Sequence, residues 1–439
     1  MSIFKRNLLY VYGSSAINGL LGLAFVPIAL RSLGATGYGL YSIFLTITSF
    51  VVLSELGVNK YFTRLLSIER DERKQKNNLQ VLIGFYVSIY LFLIFFILPL
   101  LIYVIPNYIF FIEGKESLVR LIVALSILDY LFTIPTSILK TYTISNENFY
   151  KLSKFNLFTG LWRYVLLIMG CILFKSVLLL IIIYLLRRVI DFLYGLKTLG
   201  NLPIGSWKPV FKINLYKQIL SNSLLLSVSQ LFQTLALAIG SILVNQNFGV
   251  QKLGIYRSSF DIANKIWFIS NGLGLVLFPK FSSMVSKGEN KLMGKMGKYI
   301  NLSWGAYSTI FIVAVFSFPL YNILFEIDKN IFLLLLLGTC YNAHSNLGFE
   351  LLQAKGNFKS VALINFISFI NMVLLFYSLH NTFGFISIGI SWCISQVIHS
   401  FIIDSIILKS NSYKDIFTSM ILKIITIMIV IYIFLEFVR

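Results

Sequence analysis

Runs of about 20 apolar residues recur from one end of this chain to the other, and no other feature constrains its fold so tightly. Thirteen such runs are centred near residues 19, 49, 92, 130, 164, 187, 232, 267, 311, 342, 369, 395 and 426. As a helix, each is long enough for ~30 Å of hydrocarbon. In lipid every backbone polar group must find a partner within the protein, so only helices and closed barrels can span. A barrel would alternate apolar and polar residues in strands of about 10, which these continuous runs do not. With 57% hydrophobic and 12% charged residues, against about 25% charged in soluble domains, the expectation is an all-α polytopic membrane protein. The first run, Leu8 to Leu30, is too long for a signal-peptide core and lacks a small-residue cleavage site after it. It reads as an uncleaved first transmembrane helix.

The net charge of +20 suggests nucleic acid until its placement is considered. With Lys5 and Arg6 on the cytoplasmic side, the inner loops take Arg64, Arg70, Arg73, Lys74, Lys76, Lys140, Lys151, Lys280 and many more. The outer loops take Arg31, Lys115, Arg120, Lys175, Lys252, Arg257 and Lys329. That bias, about threefold, holds loop after loop and is the positive-inside rule. It predicts a cytoplasmic N-terminus in a cell (inner or plasma) membrane and argues against a nucleic-acid partner.

Chemistry-bearing residues are sparse. Cys171, Cys340 and Cys393 fall in three separate apolar runs, without disulfide or metal spacing. His344, His380 and His399 are equally scattered. "HSFIID", His399 to Asp404, matches the H-x-x-x-x-D pattern of some acyltransferases. Five helical residues turn by about 500°, however, which leaves the two side chains ~140° apart. The longest outer stretch, Pro106 to Ser117, is too short to carry the acceptor chemistry of a glycan polymerase. A membrane-bound glycan-modifying enzyme is therefore the weakest of the readings weighed, and no enzyme activity is expected.

An internal repeat organises the chain. At an offset of 215, Leu33 pairs with Phe248, Gly34 with Gly249, Gly39 with Gly254, Leu40 with Ile255, Tyr41 with Tyr256 and Gly57 with Gly272; Asn18 meets Gln233. A second echo, at an offset of 209, aligns "NFYKLSKFN" from Asn148 with "NFKSVALIN" from Asn357. Both echoes fall at corresponding junctions, after runs one and seven and after runs four and ten. The expectation is two six-helix lobes, residues 1–199 and 200–409, plus an additional C-terminal transmembrane helix over 410–439. Six is even, so the lobes enter the membrane in the same sense, as parallel repeats about an axis along the membrane normal with the substrate between them. The stretch around Gly34 then reads as the outer hairpin of the first two helices, where glycine permits a tight turn and tyrosine favours the interface.

Pro27, Arg31, Leu33 and Gly34 (P-x-x-x-R-x-L-G), followed by Tyr38, Gly39 and Tyr41 (Y-G-x-Y), resemble the Wzx-type polysaccharide flippases. So do the later F-G-x-x-x-L-G-I-Y from Phe248 and "FPKFS" from Phe278. These flippases belong to the multidrug, oligosaccharidyl-lipid and polysaccharide exporter superfamily. The resemblance implies alternating access that carries an undecaprenyl-diphosphate-linked oligosaccharide (O-antigen, capsule or exopolysaccharide repeat unit) from the cytoplasmic to the outer leaflet. It also implies a polysaccharide polymerase and chain-length machinery as partners. A proton or sodium gradient, rather than a bound cofactor, is the drive to consider. Members commonly have 12 or 14 spans, so a thirteenth run is a departure. The alternative within the superfamily is a cation-coupled multidrug exporter. Such exporters carry an acid in the first or seventh helix, whereas this chain has Asn18, Gln230 and Gln233 there.

A diphosphate needs cations in a protein-lined cavity, and charges at membrane depth are costly enough to be functional or paired. Within the runs lie Arg163, Arg187, Arg188, Lys265 and Lys423, with Asp129, Asp191 and Asp261; Glu55 and Asp404 lie nearer the ends. Arg257, Asp261 and Lys265 are spaced i, i+4, i+8, which on an α-helix makes one face. They read either as a neutralised ladder that docks the helix or as a track toward the diphosphate. Arg163 has no acid at i±3 or i±4. Arg187 and Asp191 read as a structural pair, and Lys423 as an interhelical one. Arg31 and Arg64, at opposite ends of the first hairpin, read as surface anchors or as substrate contacts. The candidate substrate-binding set is Lys265, Arg257, Arg163, Asp261, Arg31 and Arg64. Pro27, Pro135 and Pro319 are candidate kinks.

Overall fold

A computed structural model describes residues 3–52, 58–68, 71–200, 202–203, 205–270, 274, 303–317, 328–408 and 423. Among these, all regular structure is helical: α1 (Ile3–Val52), α2 (Val58–Ile68), α3 (Glu72–Ile109), α4 (Glu116–Ser145), α5 (Phe149–Phe174), α6 (Val177–Thr198), α7 (Ile213–Ala263), α8 (Ser303–Ser317), α9 (Lys329–Ala354), α10 (Phe358–Phe383) and α11 (Ser387–Leu408). Six helical stretches of the described residues are long and apolar enough to cross a membrane, so the chain is a multi-pass membrane protein. Pro319 and the extra helix expected over 410–439, apart from Lys423, lie outside the described residues.

By packing, the chain divides into two compact units, Met1–Ile262 and Ala263–Arg439. These are units of compactness. The lobes expected over 1–199 and 200–409 rest on the sequence repeat, and the packing division falls elsewhere. In the first unit α1 packs along α5 and α4, and α6 packs against α4 and α5. In the second, α9 and α10 both pack on α11. The α1–α5 crossing is tight because Gly160 leaves a notch for Asn18. The Asn18 amide fills that notch and donates to the Asn156 carbonyl at 3.0 Å.

The outer hairpin expected around Gly34 is narrower than its sequence suggests. α1 is helical on both sides of a single elbow residue, Gly34, at φ 69° and ψ 170°. Its repeat partner Gly249 forms the same elbow in α7, at φ 80° and ψ 173°. That region of backbone space is essentially restricted to glycine, so each hairpin turns on one residue.

Two further differences from expectation have local causes. The outer stretch predicted over Pro106–Ser117 is helical as far as Ile109. Pro99 and Pro106 each lack an N–H and crowd the carbonyl four residues back, and α3 absorbs them as five-residue-ring segments at Leu93–Ile97 and Ile105–Ile109. Second, α2 follows the second apolar run as a separate amphipathic helix. It buries Val58, Phe62 and Leu66, which recur at the helical period, in one core with Leu82, Phe85, Tyr86 and Tyr130.

The second echo is also a structural repeat. Glu147 and Gly356 both take positive φ, 53° and 75°. Asn148 and Asn357 then open α5 and α10 with nearly equal dihedrals, φ −84° and −83°. The Asn148 and Asn357 N–H groups reach back to Thr143 and Leu352 at 3.1 and 3.0 Å, residues again 209 apart. The caps differ in one respect: the Asn148 side chain accepts from the Lys151 N–H, and Asn357 makes no such bond.

Candidate functional site

The elbows bring α1 and α7 together just beyond Gly34 and Gly249. A Cβ on Gly39 would lie 2.3 Å from the Val250 carbonyl oxygen, and one on Gly254 would lie 1.9 Å from that of Ala35. Ala35 and Val250 are themselves 215 residues apart, as are Gly39 and Gly254. The contact is therefore reciprocal, residue i on j and j on i, as a pseudo-two-fold between the repeats requires. Only glycines permit backbones so close.

A polar bridge spans this crossing. Buried Tyr38 donates its hydroxyl to Asp261 Oδ2 at 2.8 Å, and Asp261 Oδ1 pairs with Arg257 Nε at 3.1 Å along α7. Arg257 Nη1 also reaches Ser241 Oγ at 3.5 Å. The Arg257–Asp261 half of the expected ladder is thus an ion pair whose acid also reaches α1. Lys265 departs from the expected single face, because α7 ends at Ala263 and Lys265 lies in a 3-10 turn, Asn264–Ile266. Such a turn advances about 120° per residue instead of 100°.

A second cluster lies among α4, α5 and α6. Arg188 holds Asp129 with both arms of its fork, Nε to Oδ1 at 2.7 Å and Nη2 to Oδ2 at 3.0 Å, and Nη2 also donates to the Tyr184 hydroxyl at 3.2 Å. This ties α6 to α4. Arg187, almost wholly buried, pairs with Asp191 at 3.2 Å one turn on, as its spacing predicts, and lies over the Tyr184 ring at 4.6 Å. Its Nε and Nη2 have no hydrogen-bond partner among the described residues. Arg163 lies within electrostatic reach of Arg187 and Asp191. Its guanidinium stacks 4.5 Å from the Tyr164 ring, and its buried Nε likewise has no hydrogen-bond partner among the described residues. Three arginines thus face two aspartates, and the donors left over suit an acceptor-rich group.

The remaining candidates are dispersed. Arg31 is exposed on the first segment of α1. Arg64 belongs to α2, and its side chain lies outside the described residues. Lys423 makes the interhelical pair expected of it, donating to Asp404 and, at 2.7 Å, to Ser400 Oγ of α11. Among the described residues His399 has no hydrogen-bond partner on either ring nitrogen, so it and Asp404 are not bonded to each other. No group of three metal-ligating side chains occurs among the described residues. Sequence reasoning missed the Asp129–Arg188 and Tyr38–Asp261 pairings, whose partners lie 59 and 223 residues apart.

Paired elbows, a reciprocal helix crossing and charges held among the helices characterise this all-α, multi-pass fold. The chain is similar to the solved "Lipid II flippase MurJ, inward closed conformation" at a TM-score of 0.65 and 14% identity, covering 98% of this chain and 99% of that one. It is also similar to an outward-facing multidrug resistance MATE family transporter at a TM-score of 0.64 and 13% identity, covering 97% of each. These likenesses establish the fold. In sequence, residues 4–285 match the family described as "Polysaccharide biosynthesis protein", and the chain belongs to that family. A Shigella flexneri protein named "Putative O-antigen transporter" is 23% identical over 420 residues, covering 92% of this chain and 97% of its own length. The resemblance to the Wzx-type flippases therefore holds beyond the quoted motifs.

Proposed function

We propose that this protein exports an undecaprenyl-diphosphate-linked oligosaccharide from the cytoplasmic to the outer leaflet of the cell membrane by alternating access, with its N-terminus in the cytoplasm. The observation that carries the reading is the excess of cationic donors within a two-lobed exporter fold. Among the described residues, Arg163 and Arg187 retain buried N–H groups without hydrogen-bond partners, and phosphate oxygens are the acceptors that arginine forks fit best. Lys265 and Arg163 are the proposed cations for the diphosphate. Arg257 and Asp261 lie at the helix crossing, Arg31 on the first segment of α1 and Arg64 on α2. The Shigella flexneri relative named for O-antigen transport supports the cargo class. A polymerase and chain-length machinery would then act on the exported unit.

An anionic cargo moving outward runs with an inside-negative potential, which contributes ~2.3 kcal/mol per charge per 100 mV. The potential alone suits the cycle, with proton or sodium counterflow as a further drive. The test is glycan labelling in cells lacking the protein. Cytoplasmic-facing accumulation of a lipid-linked oligosaccharide is expected. Unaltered surface glycan with changed drug sensitivity would overturn the reading in favour of a cation-coupled multidrug exporter, whose fold this chain shares.

A further inference from the structure

We propose that Tyr38, Asp261 and Arg257 form a latch that holds the outer mouth of the transporter shut, and that releasing the Tyr38–Asp261 bond is the step that opens it. This rests on the alternating-access reading above. The backbone crossing at Gly39 and Gly254 is symmetric, but its polar chemistry is not. The repeat partner of Tyr38 is Leu253, and that of Asp261 is Thr46, whose hydroxyl is bonded to the Ser42 carbonyl of its own helix. The Tyr38–Asp261 bond therefore has no counterpart at the repeat-related positions, Leu253 and Thr46. It joins a residue of the first repeat to one of the second at the elbow end, where the outer mouth would part.

The arrangement suits a bond that breaks and re-forms. A carboxylate left alone at this depth would be costly. Arg257, however, sits one turn away on the same helix and pairs with Asp261 at 3.1 Å, so it travels with Asp261 when α1 and α7 separate. The acid keeps a counter-charge in either state. Arg257 is accordingly a positioning residue for Asp261, and Tyr38 is the half of the latch that lets go.

Ser42 reports the state of the mouth. It is fully buried, one turn beyond Tyr38 on the same face of α1, and bonds the Gly39 carbonyl at 2.6 Å. In a variant whose buried cysteines, Cys171, Cys340 and Cys393, are replaced by alanine, Ser42→Cys is exposed to a membrane-impermeant maleimide added outside intact cells. Labelling follows the population of the open state. Tyr38→Phe removes one hydroxyl and should raise the labelling rate about tenfold, the equivalent of 1.4 kcal/mol. Tyr256→Phe, which removes from the same crossing a buried hydroxyl that has no hydrogen-bond partner among the described residues, should leave it unchanged. Asp261→Asn keeps an acceptor but loses the charge and should fall between, which keeps the test open should Tyr38→Phe not fold. Folded Tyr38→Phe labelled as slowly as its parent would overturn the latch, as would a rise seen only from the cytoplasmic side in inside-out vesicles. No cargo is involved, so a failure here leaves the glycan result to stand or fall by itself.

Discussion

Replacing Gly254 by alanine tests the crossing of α1 and α7 directly. The added Cβ would stand 1.9 Å from the Ala35 carbonyl oxygen and 2.7 Å from its carbon, whereas real Cβ contacts essentially never fall under 3.0 Å. Relief requires the two backbones to part by more than 1 Å, because the obstructing atoms are peptide and cannot rotate aside as a side chain would. Overpacking of this kind costs about 1–3 kcal/mol, partly offset by about 1 kcal/mol from alanine's better helix propensity. Gly39→Ala, 2.3 Å from the Val250 oxygen, should cost somewhat less. Gly13→Ala meets nothing within 4 Å and should be neutral or slightly stabilising. One separation of the helices relieves both clashes, so the double variant Gly39→Ala/Gly254→Ala should lose less than the sum of the singles. The assay is thermal melting of the purified protein in detergent, with SDS titration as a second probe. Gly254→Ala melting with Gly13→Ala would refute the close approach, and strict additivity would refute its reciprocity.

Arg188→Met should cost about 3–5 kcal/mol by stranding buried Asp129, and adding Asp129→Leu should recover most of it, as read by the same melts. Lys265→Ala should abolish export, seen as accumulated lipid-linked glycan, with membrane insertion intact, and removing Asp261 as well should not restore it. A fully active Lys265→Ala/Asp261→Ala protein would remove Lys265 from the site. Asn148→Ala should destabilise α5 by about 1 kcal/mol, whereas Asn357→Ala, whose side chain caps nothing, should cost less. Equal losses in melting would deny the difference between the caps.

Features written in short-range pattern are legible in the sequence. The apolar runs mark the helices, and Gly34 and Gly249 mark the elbows. The Asn148 and Asn357 echoes mark turns that share the same backbone bonds. Arg187–Asp191 was legible too, since an i, i+4 pair needs only the helix itself. What stayed hidden depends on how helices rotate against one another. Nothing local in Asp129 or Arg188 says that α4 and α6 turn those faces together, and nothing in Tyr38 points to Asp261. Lys265 illustrates the converse error: the i, i+8 argument was sound for an α-helix, but the α-helix stops two residues short of it.

The segment that joins the two repeats is strapped to α3 rather than slack. Val210 N–H donates to the Gln80 carbonyl at 3.0 Å, and the Gln80 amide donates to the Gly205 carbonyl at 2.9 Å. Gly84 lets the Val210 carbonyl come so near that a Cβ there would stand 2.4 Å away, and Tyr216 donates to that same carbonyl at 3.0 Å. At about 1.5 Å per residue, the 38 residues of Glu72–Ile109 extend well past a hydrocarbon core of ~30 Å. Their polar beginning, Glu72 to Gln80, therefore rises into water as a mooring post, and the strand of chain made fast to it cannot drift. The linker is thus held to the first repeat by a backbone and a side-chain hydrogen bond, and the second repeat starts from a fixed point on it.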